Sequence, residues 1–292
     1  MIAYHLITQT ENYLNNYQNN NHKLSNLSAI RRYEPSMIEA VVYHPVICLI
    51  LQGSKETVIG DQQVRLQAGD ALLVSHDLPV SSKITGASAI APYLALILSL
   101  DINLIRSLYE IVGVEVQAND DQRALTTGNS DPVWLDPLTR YLALMDRPLD
   151  AQVLGPSILR EIHYRLLMSP LGGMLRSLLS VDSHASRVAR AIQQIKASFH
   201  EPITVPALAR TAGMSESSFH VHFKLVTGTS PLQYLKDLRL IEARALLSGG
   251  RHNVATAGFA VGYESPTHFS RDYVRKFGVP PSRDLASAQM SA

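Results

Sequence analysis

The back third of the 292-residue chain repeats itself. The first copy runs from Val205 to Pro231 and carries Gly213, Phe219, Phe223, Gly228 and Pro231; the second runs from Val254 to Pro281 and carries Gly262, Phe269, Tyr273, Gly278 and Pro281. The first glycines lie 49 residues apart and the later landmarks 50 apart, so one residue is inserted after Gly262. Each copy reads as a short Ala-rich helix, a glycine able to take the left-handed conformation, a serine N-cap (Ser215, Ser265) and an aromatic pair at i and i+4. That is helix, tight turn, helix, twice, and the second helix of such a pair fits the DNA major groove. Between the copies, Leu232 to Leu247 predicts an apolar-faced helix ending at Gly249-Gly250. Its sixteen residues span about 24 Å. With the width of the flanking units, this brings the two outer helices near the ~34 Å of one DNA turn, so one chain covers two grooves.

Charge supports this division. The net charge of +1 hides an asymmetry: residues 1 to 184 hold 13 basic and 18 acidic side chains (net −5), and residues 185 to 292 hold 13 basic and 7 acidic (net +6). An acidic front and a basic back imply separate partners. Cys48 is the only cysteine, so no intramolecular disulfide is possible. No basic stretch followed by an apolar core and a cleavage site opens the chain, and a cytoplasmic location is expected. Ala87 to Leu100 is the longest apolar stretch, too short for the ~20 residues of a membrane span, and reads as a buried strand.

The front half divides further. Residues 1 to 14 suggest an amphipathic helix, and the Asn-rich Asn15 to Asn21 a polar loop, together a lead-in over residues 1–22. From about 37 to 100, the runs Val46–Leu51, Thr57–Ile59, Val64–Leu66, Ala71–Val74 and Tyr93–Leu98, separated by Gly53, Gly60-Asp61, Gly69-Asp70 and Gly86, predict an antiparallel sandwich or small barrel. From about 101 to 180 apolar residues recur three and four apart, and Pro132, Pro137, Pro148, Pro156 and Pro170 punctuate a set of helices. The polar segment Val181 to Ser186, where the charge changes sign, is the expected boundary between a front domain (23–184) and a back domain (185–286), with 287–292 as a tail.

The phrases LARTAGMSESSFHVHFKLVTGTSPLQYLKDLRLIEARALL and AGFAVGYESPTHFSRDYVRKFGVPPSRD resemble the AraC/XylS family of bacterial transcription regulators over about Val188 to Leu285. The phrases VICLILQGSK, AGDALLVSHDLPV and GPSILREIHYRLLMSPLGGMLR resemble the N-terminal effector domain of one group within it. The resemblance implies an α+β protein: a cupin-like antiparallel β-barrel with trailing helices, then an all-α domain of two helix-turn-helix units joined by a linker helix. It also implies a small-molecule effector, homodimerisation through the front domain and, for an activator, contact with RNA polymerase. Many family members end in Tyr-Arg after the last Pro-Ser, where this chain has Ser282-Arg283-Asp284-Leu285.

If Phe219 and Phe223 face the core, Ser217, Ser218, His220, Val221 and Lys224 lie on the other sides, at the family's recognition positions. With Phe269 and Tyr273 inward, Thr267, His268, Ser270, Arg271 and Arg275 face out. Arg271 is the candidate for a guanine, because its fork bonds O6 and N7 together. Lys224, Arg275 and Lys276 suit phosphates. The front domain carries no His-x-His pair, and His44 and His76 are isolated, so no metal or other cofactor is expected. Ser75-His76-Asp77 are adjacent, which is not triad geometry, since neighbours on a strand point to opposite faces. No phosphate-loop motif is present. Cys48 reads as a small buried side chain with no basic neighbour evident. The alternatives are a cupin-type enzyme, or a dimeric DNA-binding protein with no effector.

Overall fold

In the computed structural model, which describes residues 4–17, 24, 26–112, 123–250 and 252–284, the front half forms two antiparallel sheets. The strands are β1 (Leu27–Arg32), β2 (Glu39–Tyr43), β3 (Val46–Gln52), β4 (Ser54–Ile59), β5 (Gln62–Gln67), β6 (Asp70–Val74), β7 (Leu78–Gly86), β8 (Tyr93–Ser99) and β9 (Leu125–Asn129). One sheet has the order β1-β8-β3-β6-β9 and the other β2-β7-β4-β5. The five-stranded sheet is buried on both sides. Ile47, Leu49 and Leu51 of β3 pack among helices, while Cys48 and Ile50 belong to the core shared with the second sheet. Leu73 against Leu72 and Val74, and Leu94, Leu96 and Leu98 against Tyr93 and Ala95, divide the same way. A strand covered on both faces has no polar side to show, which is why VICLIL reads as an unbroken apolar run.

The helices covering that sheet are α1 (Tyr4–Tyr17), α2 (Ile102–Val112), α3 (Pro132–Leu142), α4 (Pro148–Met168) and α5 (Gly173–Leu179). Trp134, Leu138, Tyr141, Ile162, Leu166 and Leu175 bury their side chains among them. The second half is helical: α6 (His184–Ser198), α7 (Val205–Ala212), α8 (Glu216–Thr227), α9 (Pro231–Ser248), α10 (Val254–Ala260) and α11 (Pro266–Phe277).

Four expectations need correction. The sheets begin at Leu27 and end at Asn129 rather than spanning 37 to 100. Both additional strands lie at the edges of their sheet, and LSAIRR and LTTGN carry little apolar pattern because an edge strand packs less of itself. The third correction concerns Ala87 to Leu100: the strand occupies only Tyr93–Ser99, and Ile90 in the preceding loop is 98% exposed. Fourth, α1 runs through Asn15 and Asn16 to Tyr17, because Leu6, Thr10 and Tyr13 anchor one face and the asparagines ride on the exposed one. Residues 18–21 of the expected polar loop, and the tail, lie outside the described residues.

Candidate nucleic-acid interface

The two repeat units fold as the spacing predicts. In the first, α7 stops at Gly213, whose φ of 63° is the left-handed conformation that glycine takes at low cost. Ser215 then opens α8, its hydroxyl accepting from the Ser218 amide at 3.3 Å. In the second, Gly262 makes the turn and the Ser265 hydroxyl accepts from the His268 amide at 3.4 Å. Phe219 and Phe223 are fully buried with ring centroids 5.3 Å apart; Phe269 and Tyr273 are fully buried at 5.5 Å. The inserted residue is absorbed in the turn and leaves the aromatic pairs equivalent.

With the aromatics inward, α8 exposes Ser217, His220, Val221 and Lys224, with Ser218 half-buried. On α11, Thr267, His268, Arg271 and Arg275 are exposed and Ser270 is half-buried. The cations differ in their engagements. Arg271 makes no ion pair among the described residues. Arg275 donates to Asp272 at 2.8 Å, Lys276 pairs with Asp237 at 3.0 Å, and Lys224 stands 3.9 Å from Asp61 of the β4–β5 turn.

Residues outside the expected set hold these helices in place. Asp272 is buried and also receives Lys236 at 3.0 Å. Asp284, in the segment that departs from the family's usual ending, accepts from the Tyr273 hydroxyl at 2.8 Å and pairs with Arg244 at 2.9 Å. Arg239 of α9 donates to the carbonyls of Phe199, Glu201 and Gly262, tying the linker helix to the end of α6 and to the second turn. His184 and His222 stack with centroids 3.4 Å apart, joining the start of α6 to α8; partial burial, with His184 beside it, lowers the pKa of His222. Single side chains at irregular separations leave no periodic signal, so none of these ties was visible in the sequence.

The front domain meets the first unit over a shared core. Cys48, Ile50, Leu72 and Val80 belong to the same buried cluster as Val188, Ile195, Phe219, Phe223 and Tyr234. The Tyr234 hydroxyl donates to the Asp77 carbonyl at 2.6 Å, the Ala124 amide to the Val226 carbonyl at 2.8 Å, and Lys196 pairs with the Asp77 carboxylate at 3.1 Å. The Ser75 hydroxyl lies 2.8 Å from His76 Nδ1, but the Asp77 carboxylate goes to His44 at 2.5 Å and to Lys196, so the three residues form no relay. Burial pushes His76 down to about 4, and the neutral ring sits 3.3 Å from the Ala185 carbonyl. Among the described residues no three His, Cys, Asp or Glu side chains converge as a metal site. Cys48 does have a basic neighbour, since Lys55 of the facing sheet is close enough to pull its pKa down. Burial outweighs that pull and keeps the thiol above its usual range. The Lys55 ammonium is itself buried and donates to the Tyr43 hydroxyl at 2.9 Å. No helix among the described residues is long and apolar enough to cross a membrane.

Comparison with known proteins agrees with this architecture. The family model for the AraC-type transcriptional regulator N-terminus matches residues 23–174, more than half of the chain, and that for a helix-turn-helix domain matches residues 208–287. The HTH-type transcriptional activator RhaS of Escherichia fergusonii is 29% identical over 152 residues, 52% of this chain and 54% of that protein. The virulence regulon transcriptional activator VirF of Yersinia enterocolitica is 24% identical over 166 residues, 56% of this chain and 60% of that protein. The chain therefore spans little more than half the length of the curated relatives it matches. The solved structure of ToxT from Vibrio cholerae superposes with a TM-score of 0.57 over 89% of this chain and 96% of that one, at 13% identity, a likeness of fold. With its N-terminal domain and its helix-turn-helix region both matched, the chain belongs to the AraC-type transcriptional regulators.

Proposed function

We propose that the chain binds a specific DNA site with α8 and α11 in successive major grooves and regulates transcription from it, as a cytoplasmic activator. The observation that carries this reading is the equivalence of the two repeat units: each buries an aromatic pair at i and i+4 and turns a polar, partly basic face outward. Ser217, Ser218, His220, Val221, Thr267, His268, Ser270 and Arg271 are the base-facing set, and Lys224 and Arg275 the phosphate-facing one. Arg271 stands out because no carboxylate among the described residues competes for its fork. Arg271→Ala is expected to weaken the cognate site by about 1 to 3 kcal/mol and mixed-sequence DNA far less. Gel-shift titrations on both DNAs at one salt concentration test this, and equal losses remove the base-reading role.

The unit division is placed at residues 181–186, with an effector and dimerisation domain before it. ToxT has been solved with an unsaturated fatty acid bound. In this chain the buried Lys55 ammonium beside Tyr43 gives the largely apolar barrel interior a charged handle for a small-molecule effector. Such an effector shifts the population able to bind DNA only through differential affinity for its two arrangements. Dimerisation is assigned to α4, where Leu149, Val153, Tyr164 and Met168 leave an exposed apolar stripe along a 21-residue helix. A second copy doubles the DNA contacts. Analytical ultracentrifugation of Val153→Glu tests that assignment: the variant sediments as a monomer if α4 is the interface. As an activator the dimer contacts RNA polymerase, which in-vitro transcription from the footprinted promoter reads directly.

A further inference from the structure

The two outer helices α8 and α11 match in their buried halves and oppose each other in their exposed ones. Positions 50 residues apart correspond, Phe219 with Phe269 and Phe223 with Tyr273, and both pairs are fully buried. The same offset sets Val221 against Arg271, Lys224 against Val274 and Leu225 against Arg275. At each of these three positions an apolar side chain in one unit answers a cation in the other, and all six are exposed. Val221 lies in the second turn of α8 and is 57% exposed.

This exchange has a chemical meaning in a major groove. Val221 has no donor or acceptor to offer a base edge. Only thymine presents an apolar group there, its C5 methyl. The other three bases show donors and acceptors, which a valine would strip of water without pairing. Arg271, at the same place on α11, is the opposite case, with donors for guanine O6 and N7. Leu225 extends the apolar surface one turn beyond Val221, where Arg275 of the second unit suits a phosphate; in the first unit that cation moves to Lys224.

We propose that Val221 is a specificity-determining residue that reads a thymine methyl, so that the two grooves bound by one chain differ in kind: thymine under α8 and guanine under α11, about one DNA turn apart. The proposal rests on the regulator reading above and goes beyond it by naming the base that α8 selects. The site then has a direction, and its two halves cannot be exchanged.

The test takes the full chain and a duplex that it protects in footprinting, with deoxyuridine replacing one thymidine at a time. Uracil keeps every hydrogen-bonding group of thymine and lacks only the methyl. At one position the replacement is expected to weaken wild-type binding about fourfold, as for one buried methyl group. Val221→Ala loses at least as much on the thymine duplex and no longer distinguishes uracil from thymine. Arginine is a good helix former, so Val221→Arg keeps α8 intact and prefers guanine at that position. About one turn away, 7-deazaguanine, which lacks the N7 acceptor, weakens the wild type and Val221→Ala alike and leaves Arg271→Ala unchanged. The proposal is overturned if the wild type is indifferent to uracil at every position, or if Val221→Ala keeps the full sensitivity. Failure to prefer any protected duplex over mixed-sequence DNA overturns the regulator reading with it, whereas preference without uracil sensitivity overturns this proposal alone.

Discussion

The two helix-turn-helix units are near copies in sequence and are held by different forces. The first shares its core with the barrel: Phe219 and Phe223 belong to one buried cluster with Cys48, Ile50 and Val80, and backbone and side-chain hydrogen bonds cross the junction. The second has a small core of its own, centred on Leu240, Ala243, Leu247, Phe269 and Tyr273. That core joins it to α9, and charge adds to the hold through Lys236–Asp272, Lys276–Asp237 and the Arg244–Asp284–Tyr273 set. Apolar burial is non-directional and makes one cooperative body of whatever it joins. Ion pairs fix a geometry with less net stabilisation and weaken with salt. One recognition helix is thus continuous with the sensing domain and the other is tethered to its neighbour.

The largest expected contrast comes from truncating each unit's buried aromatic. Phe219→Ala and Phe269→Ala should each cost about 3 to 5 kcal/mol. In hydrogen exchange, Phe219→Ala should lower protection in β3, β6 and α6 as well as α8, whereas Phe269→Ala should lower it only in α10, α11 and the second half of α9. Identical footprints would break the comparison.

Acid acts next, and on the junction. His76 is neutral when folded and pushed down to about 4, while in the unfolded chain it takes up a proton near its ordinary value of about 6.5. Below about pH 6.5 the unfolded state therefore binds more protons. Stability falls as pH drops towards 4, by about 3 kcal/mol in all, and this contribution levels off below that. Denaturant midpoints of the wild type and His76→Gln across this range measure the contribution as the pH-dependent part of their difference, which should be constant above pH 7.

Tyr234→Phe removes the hydroxyl bonded to the Asp77 carbonyl and should cost about 1 to 2 kcal/mol. Tyr273→Phe should cost less, because Arg244 still occupies Asp284. The smallest effect is ionic. Raising salt to about 1 M, where the Debye length is ~3 Å, should loosen the second unit by at most about 1 kcal/mol and leave the first unchanged. Exchange rates of α11 against α8 read this out.

What was legible in the sequence was what periodic burial writes there. Phe219, Phe223, Phe269 and Tyr273 had to be inside once each helix had one apolar face, and the turn glycines fixed where each helix stops. VICLIL announced a buried strand for the same reason. Edge strands such as LTTGN were missed because they bury too little to leave a pattern. The electrostatic ties were missed for a different reason: Asp272 and Asp284 look like ordinary surface acids until the fold brings Lys236, Arg244 and Tyr273 to them. Lys55 was overlooked beside Cys48 because their strands lie in different sheets.

The β4–β5 turn has a bearing on how such regulators are assembled. Gly60, with a φ of 57°, lies so close to the end of α8 that even a methyl group there would overlap the carbonyl oxygen of Gly228, itself a left-handed cap. Two glycines 168 residues apart are thus mated parts. A sensing domain grafted from a relative that carries any side chain at this turn will not seat on this reading head without displacing α8, whatever effector it recognises. Interchange of sensing domains is therefore limited by this backbone contact.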